Sequence, residues 1–214
     1  SPGVLMIYRL GAVALIALAV SSGTAAAAGL PSVKAGAANP VPECATPGRL
    51  MAYLKERNPR LDSRFEQIAA DYHRIGNQLR MRWDYAFFQM MVDTGGLAFG
   101  RDSRSGDVRP DQNNFAGLGA TGKGERGERF PDVATGVTAH LQHVLVYAGE
   151  VVDNPVAERT RKVQEWGILK SMQKRAKGSV TFAHLATKWA PGADYVAGIE
   201  AIASRFRDGF CRTE

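Results

Sequence analysis

The sequence predicts a mainly α-helical domain of about six helices with a small polar lobe made of loop and a short β-hairpin. Two observations lead to this fold class. After residue 44, apolar residues recur three to four positions apart through most of the chain, which is the spacing of a helix face. Between residues 101 and 132 this periodicity stops, and glycine and charged residues replace the aliphatic ones. A long polar insertion of this kind usually carries function.

The first two helices can be placed from their capping residues and helix breakers. Thr46 is a candidate N-cap with Pro47 at the first helical position, and Pro59 ends the helix. Asp62 or Ser63 begins the second helix. The apolar stripe of the second helix consists of Phe65, Ile68, Ala69, Tyr72 and Ile75.

The third helix, residues 82–93, is apolar almost all round, so we expect it to form the buried centre of the domain. Gly95 and Gly96 end it. Helical spacing resumes after the polar lobe, and the last helix carries Tyr195 in its first turn. The three later helices are predicted at residues 133–149, at 154–174 with Asn154 and Pro155 as the start, and at 194–206.

Residues 1–28 have the features of a secretory signal peptide. One positive charge at Arg9 is followed by an apolar run, Leu10–Val20, and by small residues in an Ala-x-Ala pattern. The run is too short for a membrane span, which needs about 20 apolar residues. We therefore expect a mature chain in the periplasm or cell envelope, with no transmembrane segment.

The mature chain of 214 − 28 = 186 residues is long enough for one domain with a sizeable core. Residues 29–43 are rich in Ala, Gly and Pro without periodicity, which predicts a flexible tether before a domain at residues 44–214. The net charge of +6 suits an anionic polymer or a membrane surface. A solvated basic surface explains it equally well.

The two cysteines, Cys44 and Cys211, lie near opposite ends of the mature chain. In an oxidising compartment such a pair predicts a disulfide. The alternative is two unpaired buried thiols.

The central helix ends on a carboxylate, Asp93, which follows a run of apolar residues. An apolar wall disfavours the carboxylate anion, and the partial negative charge of a helix C-terminus adds to this effect. A carboxyl group that keeps its proton near neutral pH can act as a general acid. The alternative is a helix-end residue that faces solvent or bonds to Thr94.

Four ordered blocks of the sequence resemble the glucosaminidase-domain family of peptidoglycan hydrolases, which are endo-β-N-acetylglucosaminidases with a lysozyme-like helical fold. The resemblance extends from about Met51 to Phe206. The blocks are "QMMVDTGGLAFG", "GDVRPDQNNFAGLGATG", "GERFPDVATGVTAHLQHVLVYAG" and "LATKWAPGADYVAGI".

The resemblance implies a groove between a helical body and a polar lobe that binds the glycan strands of peptidoglycan. The family's general acid is a glutamate, and the aligned residue here is Asp93. Aspartate is one methylene shorter, which withdraws the carboxyl group by about 1 Å, and a misplacement of that size can cost on the order of a hundredfold in rate. Gly95 and Gly96 give the following turn the freedom to compensate.

Glycoside hydrolysis normally uses a second carboxylate or a neighbouring group of the substrate. The resemblance favours an acid some 35 residues after the first, which is Glu128, with Glu125 next. Either glutamate alternatively solvates a loop, and the 2-acetamido group of the sugar is a third possibility. Tyr195 corresponds to a family tyrosine near the scissile bond, and its alternative is an ordinary half-buried helix residue.

The run "QNNF" in the polar lobe supplies amides and an aromatic ring. Gln112, Asn113 and Asn114 are candidate partners for N-acetyl or hydroxyl groups, and Phe115 is a candidate platform for a sugar face. The alternative is a capped turn in which the phenylalanine packs in the core.

Other function classes have weaker support in the sequence. His140 and His143 lie three apart on one predicted helix, but no third ligand completes a metal motif, and we expect neither metal nor cofactor. The modest charge and the export signal argue against nucleic acid. The main alternative is a catalytically weak or inactive peptidoglycan-binding protein that serves envelope assembly or a secretion or flagellar apparatus.

Overall fold

The computed structural model describes residues 29–100, 108–167, 170, 180–190 and 192–212. Within these ranges the chain folds into seven α-helices, which confirms the mainly α-helical prediction. The predicted signal peptide, residues 1–28, lies outside the described residues. The helices are α1 (Pro47–Arg57), α2 (Ile68–Gln78), α3 (Trp83–Thr94), α4 (Val133–Tyr147), α5 (Glu158–Glu165), α6 (Phe182–Trp189) and α7 (Ala193–Phe210).

The capping residues explain where several helices begin. Thr46 caps α1, since its side chain accepts a hydrogen bond from the Arg49 N–H at 3.2 Å. Asp62 caps a 3₁₀ turn, Ser63–Phe65, and α2 starts after that turn, later than predicted. The fifth helix also starts later than predicted, at Glu158, with Ala157 as its N-cap.

Helix α6 was not predicted. It spans eight residues, so its apolar face is too short to stand out as a periodic pattern. Thr181 caps it by accepting a hydrogen bond from the His184 N–H at 3.2 Å.

Helix α3 is the centre of the domain, as predicted. Every residue of α3 except Val92 is buried, and the helix packs against α2, α4 and α7. It ends because Gly95 adopts the left-handed conformation at φ 61°, which lets the Gly96 N–H bond to the Met91 carbonyl at 2.8 Å. The end of the central helix is therefore closely determined by its sequence.

The polar lobe contains loop and one 3₁₀ turn, Pro110–Gln112, in the part that the structure describes. The predicted β-hairpin is not found there, since the described residues contain isolated β-bridges and no β-strand. Residues 101–107 of the lobe lie outside the described ranges. Two backbone hydrogen bonds of 2.8 Å connect the described parts of the lobe. The Glu128 N–H donates to the Leu118 carbonyl, and the Phe130 N–H donates to the Gln112 carbonyl.

Residues 29–43 pack on the domain, which corrects the prediction of a flexible tether. Leu30 and Val33 are buried in the main core. Val33 also bonds through its backbone to Val180 at 2.9 Å and to Arg82 at 2.8 Å. Two apolar side chains in a segment dominated by Ala, Gly and Pro are enough to anchor it, although they form no periodic pattern.

The predicted disulfide is confirmed, with Cys44 and Cys211 joined and their Cα atoms 5.2 Å apart. It connects the residues before α1 to the C-terminal end of α7. In the described part of the chain, no helix combines the length and apolar character that crossing a membrane requires.

Helix α4 lies close to the backbone of the polar lobe at Gly136. A Cβ atom there would lie 1.9 Å from the Asn113 carbonyl oxygen and 2.9 Å from the Phe115 ring. We expect Gly136→Ala to lower the free energy of unfolding by about 3 kcal/mol, because backbone atoms must move to admit the methyl group. Urea denaturation followed by circular dichroism would measure the loss.

Gly48→Ala is the matched control for this substitution. Gly48 also lies near the start of a helix, but no atom lies within 4 Å of a Cβ built there. Alanine has the higher helix propensity, so this variant is expected to keep or slightly raise stability. Equal denaturation midpoints for Gly136→Ala and Gly48→Ala would contradict the close approach.

Candidate active site

Asp93 lies in the last turn of α3, with 3% of its surface exposed. Its neighbour Thr94 is fully buried. The Thr94 hydroxyl donates a hydrogen bond to the Met90 carbonyl at 2.8 Å and accepts one from the Leu97 N–H at 2.9 Å. Thr94 therefore holds the turn that follows the helix. The solvent-facing alternative for Asp93 is wrong.

Tyr195 meets Asp93 inside the protein. The Tyr195 hydroxyl donates a hydrogen bond to Asp93 Oδ1 at 2.7 Å, across 102 positions of sequence. Tyr195 is fully buried in the first turn of α7, which packs along α3. The structure thus brings together two of the three residues that the sequence analysis assigned to catalysis.

A second buried polar group lies near this pair. Burial raises the pKa of Tyr72 well above its usual value, and the negative charge of Asp93 adds to the increase. The Tyr72 hydroxyl lies 2.7 Å from His140 Nδ1, and His140 Nε2 lies 2.8 Å from Gln89 Oε1. Gln89 precedes Asp93 by one helical turn on the same face of α3.

Both histidines of α4 are neutral core residues. Burial first, and then the neighbouring His143, lower the pKa of His140 to about 3. Burial and then Arg159 lower the pKa of His143 to about 3, and His143 Nδ1 lies 2.8 Å from Thr160 Oγ1. A neutral His140 donates a hydrogen bond from Nε2 to Gln89 Oε1 and accepts one at Nδ1 from the Tyr72 hydroxyl. No group of three metal-ligating side chains occurs among the residues that the structure describes.

This hydrogen-bonded chain of Gln89, His140 and Tyr72 was missed by sequence reasoning. One signal for it exists, because Gln89 is the polar exception in the middle of the apolar third helix. A fully buried amide needs a partner, and here the partner is a histidine from α4.

Glu128, which the sequence analysis assigned as the second catalytic carboxylate, binds the start of α5 instead. Its two carboxylate oxygens accept the backbone N–H groups of Glu158 at 2.7 Å and Arg159 at 2.9 Å. These are the first two residues of α5, whose N–H groups have no partner within the helix, so Glu128 caps the start of that helix. The structure gives Glu128 a capping role at the start of α5.

The three amides of the polar lobe bond to the lobe's own backbone, which corrects their assignment to substrate binding. Gln112 Nε2 donates to the Arg126 carbonyl at 2.7 Å. Asn113 Nδ2 donates to the Phe130 carbonyl at 3.1 Å. Asn114 is fully buried and donates to the Leu118 carbonyl at 2.9 Å. These amides shape the loop, because buried amides satisfy their hydrogen bonds within the fold.

Phe115 is also not a sugar platform in this structure. It is 1% exposed and packs edge-on against Phe65, with ring centroids 5.9 Å apart. The capped-turn alternative therefore describes the run of residues 112–115. Glu125 is exposed and lines a cavity of about 330 Å³ together with Glu128, Glu158 and Arg159.

Sequence reasoning also missed a second cavity, of about 290 Å³, between the lobe and the helices. Its aromatic wall consists of His143, Tyr147 and Trp189, whose ring centroids are 4.9 to 5.5 Å apart. A third cavity, of about 320 Å³, adjoins Gly95 and Gly96 at the end of α3. Asp93 lines none of these three cavities.

Comparisons with known proteins assign neither a family nor an activity. No family model matches the chain, and no solved structure matches it. An uncharacterized protein of Borreliella burgdorferi is 32% identical over 102 residues, and the match covers 47% of this chain and 48% of that protein. The matched segment therefore spans about half the length of the relative.

Proposed function

We propose that the protein is a glycoside hydrolase that cleaves β-1,4 bonds between the amino sugars of peptidoglycan, with Asp93 as the general acid. The observation that carries this proposal is the buried Asp93–Tyr195 pair at the end of the central helix, with the hydrogen bond of 2.7 Å between them. Burial among the apolar residues of the helix disfavours the anion of a carboxyl group, which suits an acid that works near neutral pH, and the Tyr195 hydroxyl fixes the position of the group.

The proposed chemistry begins with proton transfer from Asp93 to the glycosidic oxygen as the bond to the anomeric carbon breaks. Tyr195 holds the carboxyl group in position through Oδ1. Because Glu128 is engaged by the N-terminus of α5, we assign the second role to the substrate. The carbonyl oxygen of the 2-acetamido group attacks the anomeric carbon, and water then opens the resulting ring while Asp93 takes back a proton.

The proposed substrate agrees with the expected compartment. The predicted signal peptide would deliver the chain to the periplasm, where peptidoglycan is the abundant amino-sugar polymer. The confirmed disulfide is typical of such an oxidising compartment. A glycan hydrolase there would act in wall growth or in the passage of an envelope-spanning secretion or flagellar assembly.

Asp93→Asn is expected to lower the release of reducing ends from purified peptidoglycan sacculi by about a hundredfold or more, because an amide cannot donate the proton. The mature protein and the variant would be compared under the same conditions. Mass spectrometry of the released fragments would identify the bond that is cut. Asp208→Asn is the control, since Asp208 is exposed near the opposite end of α7 from Tyr195.

A second candidate function is a peptidoglycan-binding protein without turnover. One observation favours it: only 3% of the surface of Asp93 is exposed. In that case Asp93→Asn and the unchanged protein would release equally few fragments, and both would still sediment with sacculi. A rise in activity for Asp93→Glu would instead show that the reach of the carboxyl group limits the rate.

A further inference from the structure

The cavity with the aromatic wall has one charged side chain among its lining residues, Arg159. Its other walls are the lobe segment 116–121 and the aromatic residues His143, Tyr147 and Trp189. His143 is neutral, since its pKa lies at about 3. Arg159 is therefore the one charged residue in the lining of this cavity, which combines small residues of the lobe with an aromatic wall.

Arg159 is half-buried and lines this cavity. Its positive charge acts on both neighbours: it adds to the effect of burial in lowering the pKa of His143, and it opposes the effect of burial on the pKa of Tyr147. The guanidinium carbon lies 4.9 Å from the centre of the Trp166 ring. None of the ion pairs found in the described part of the chain includes Arg159.

The carboxylates nearest in sequence and space have other partners. Glu128 accepts backbone N–H groups at the start of α5. Glu158 pairs with Arg161 at 3.3 Å and with Lys162 at 3.2 Å. Glu125 and both of these glutamates line the neighbouring cavity and are absent from the aromatic one. Arg159 lines both cavities, and none of the ion pairs found in the described part of the chain joins its guanidinium to these glutamates.

We propose that this cavity is a subsite for an amino sugar that carries a carboxylate, with the sugar ring against Trp189 and the carboxylate paired to Arg159. Aromatic faces bind the apolar face of a sugar, and a guanidinium binds a carboxylate through two parallel hydrogen bonds. The volume of about 290 Å³ is at the lower limit for ligand pockets, so it accommodates one sugar unit.

This subsite rests on the proposed function, since peptidoglycan supplies such a ligand in two forms. The lactyl ether of N-acetylmuramic acid carries a carboxylate when the stem peptide has been removed. When the peptide is present, its own carboxylates lie next to the same sugar. The shared chemistry is an N-acetylated sugar with a carboxylate attached to it.

The test is isothermal titration calorimetry with the full mature chain in an Asp93→Asn background, which prevents turnover of the probes. The three probes are chitin oligosaccharides without carboxylates, glycan strands freed of peptide, and glycan fragments with stem peptides. Arg159→Gln is expected to weaken binding of a carboxylate-bearing probe by about tenfold or more and to leave chitin binding unchanged. The probe that responds identifies the source of the carboxylate.

Arg161→Gln is the matched control, because Arg161 is an exposed arginine two positions along the same helix. It is expected to bind all probes as the parent does, and Arg159→Lys is expected to recover part of the loss. Equal affinity of Arg159→Gln and its parent for every probe would overturn the subsite. That result is distinct from a failure of the hydrolase proposal, which concerns fragment release and Asp93.

Discussion

Acidification from pH 6.5 to pH 5 is expected to lower the free energy of unfolding by about 3 kcal/mol, through His140 and His143. Both side chains have a pKa of about 3 in the folded protein, against an ordinary value of 6.5. The unfolded chain therefore binds more protons than the folded one between these pH values. The slope that each histidine contributes is about 0.7 kcal/mol per pH unit at pH 6.5 and approaches about 1.4 kcal/mol per pH unit at pH 5.

The direction of this effect follows from burial. A histidine that is neutral in the fold contributes its full stability above pH 6.5, and that contribution is lost as the pH falls toward 3. For His140, protonation of Nδ1 would also break the bond that it accepts from Tyr72. A domain with a stability of about 5 kcal/mol, the lower end of the typical range, would unfold before the two histidines reach their folded pKa values.

Urea denaturation at intervals between pH 5 and pH 7 measures this slope, in a range where most carboxylates stay ionised. His143→Asn keeps a polar atom near the position of Nδ1 and is expected to halve the slope, whatever its effect on stability at pH 7. His184→Gln is the control, because His184 is exposed. Equal slopes for His143→Asn and the unchanged protein would show that the buried histidines do not govern acid unfolding.

The core and most helices could be predicted from the sequence, because they depend on local patterns. The third helix is apolar on all sides and is the buried centre of the fold, and Gly95 ends it as predicted. The prediction of a flexible tether at residues 29–43 was wrong, because Leu30 and Val33 are buried against elements far along the chain. Non-local packing leaves no periodic signal in a short segment.

The candidate site was predictable to a smaller extent. Asp93 and Tyr195 were assigned through resemblance in four separate blocks, and the structure places them in contact. The role of Glu128 depends on two backbone N–H groups some 30 positions away, and backbone groups have no sequence signature. The cavity around Arg159 is missed for the same reason, since its walls come from the lobe and from three different helices.

Reduction of the Cys44–Cys211 disulfide is expected to lower the free energy of unfolding by up to about 5 kcal/mol. The bond closes a loop of 167 residues, and in the chain-entropy model the stabilisation grows with loop length. Urea denaturation with and without dithiothreitol would measure the difference. The double variant Cys44→Ser with Cys211→Ser is expected to match the reduced protein, and equal midpoints for oxidised and reduced protein would contradict the prediction.

Reduction of the same disulfide is expected to leave turnover of sacculi unchanged under conditions where the reduced protein stays folded. Cys211 follows the last turn of α7, whereas Tyr195 lies in the first, which separates them by about 24 Å along the helix. The disulfide therefore fixes the C-terminal end of α7, which is remote from Asp93. At the other end of α7, packing on α3 already positions Tyr195. A loss of fragment release on reduction, with the circular dichroism spectrum unchanged, would show instead that the position of Tyr195 depends on the covalent link.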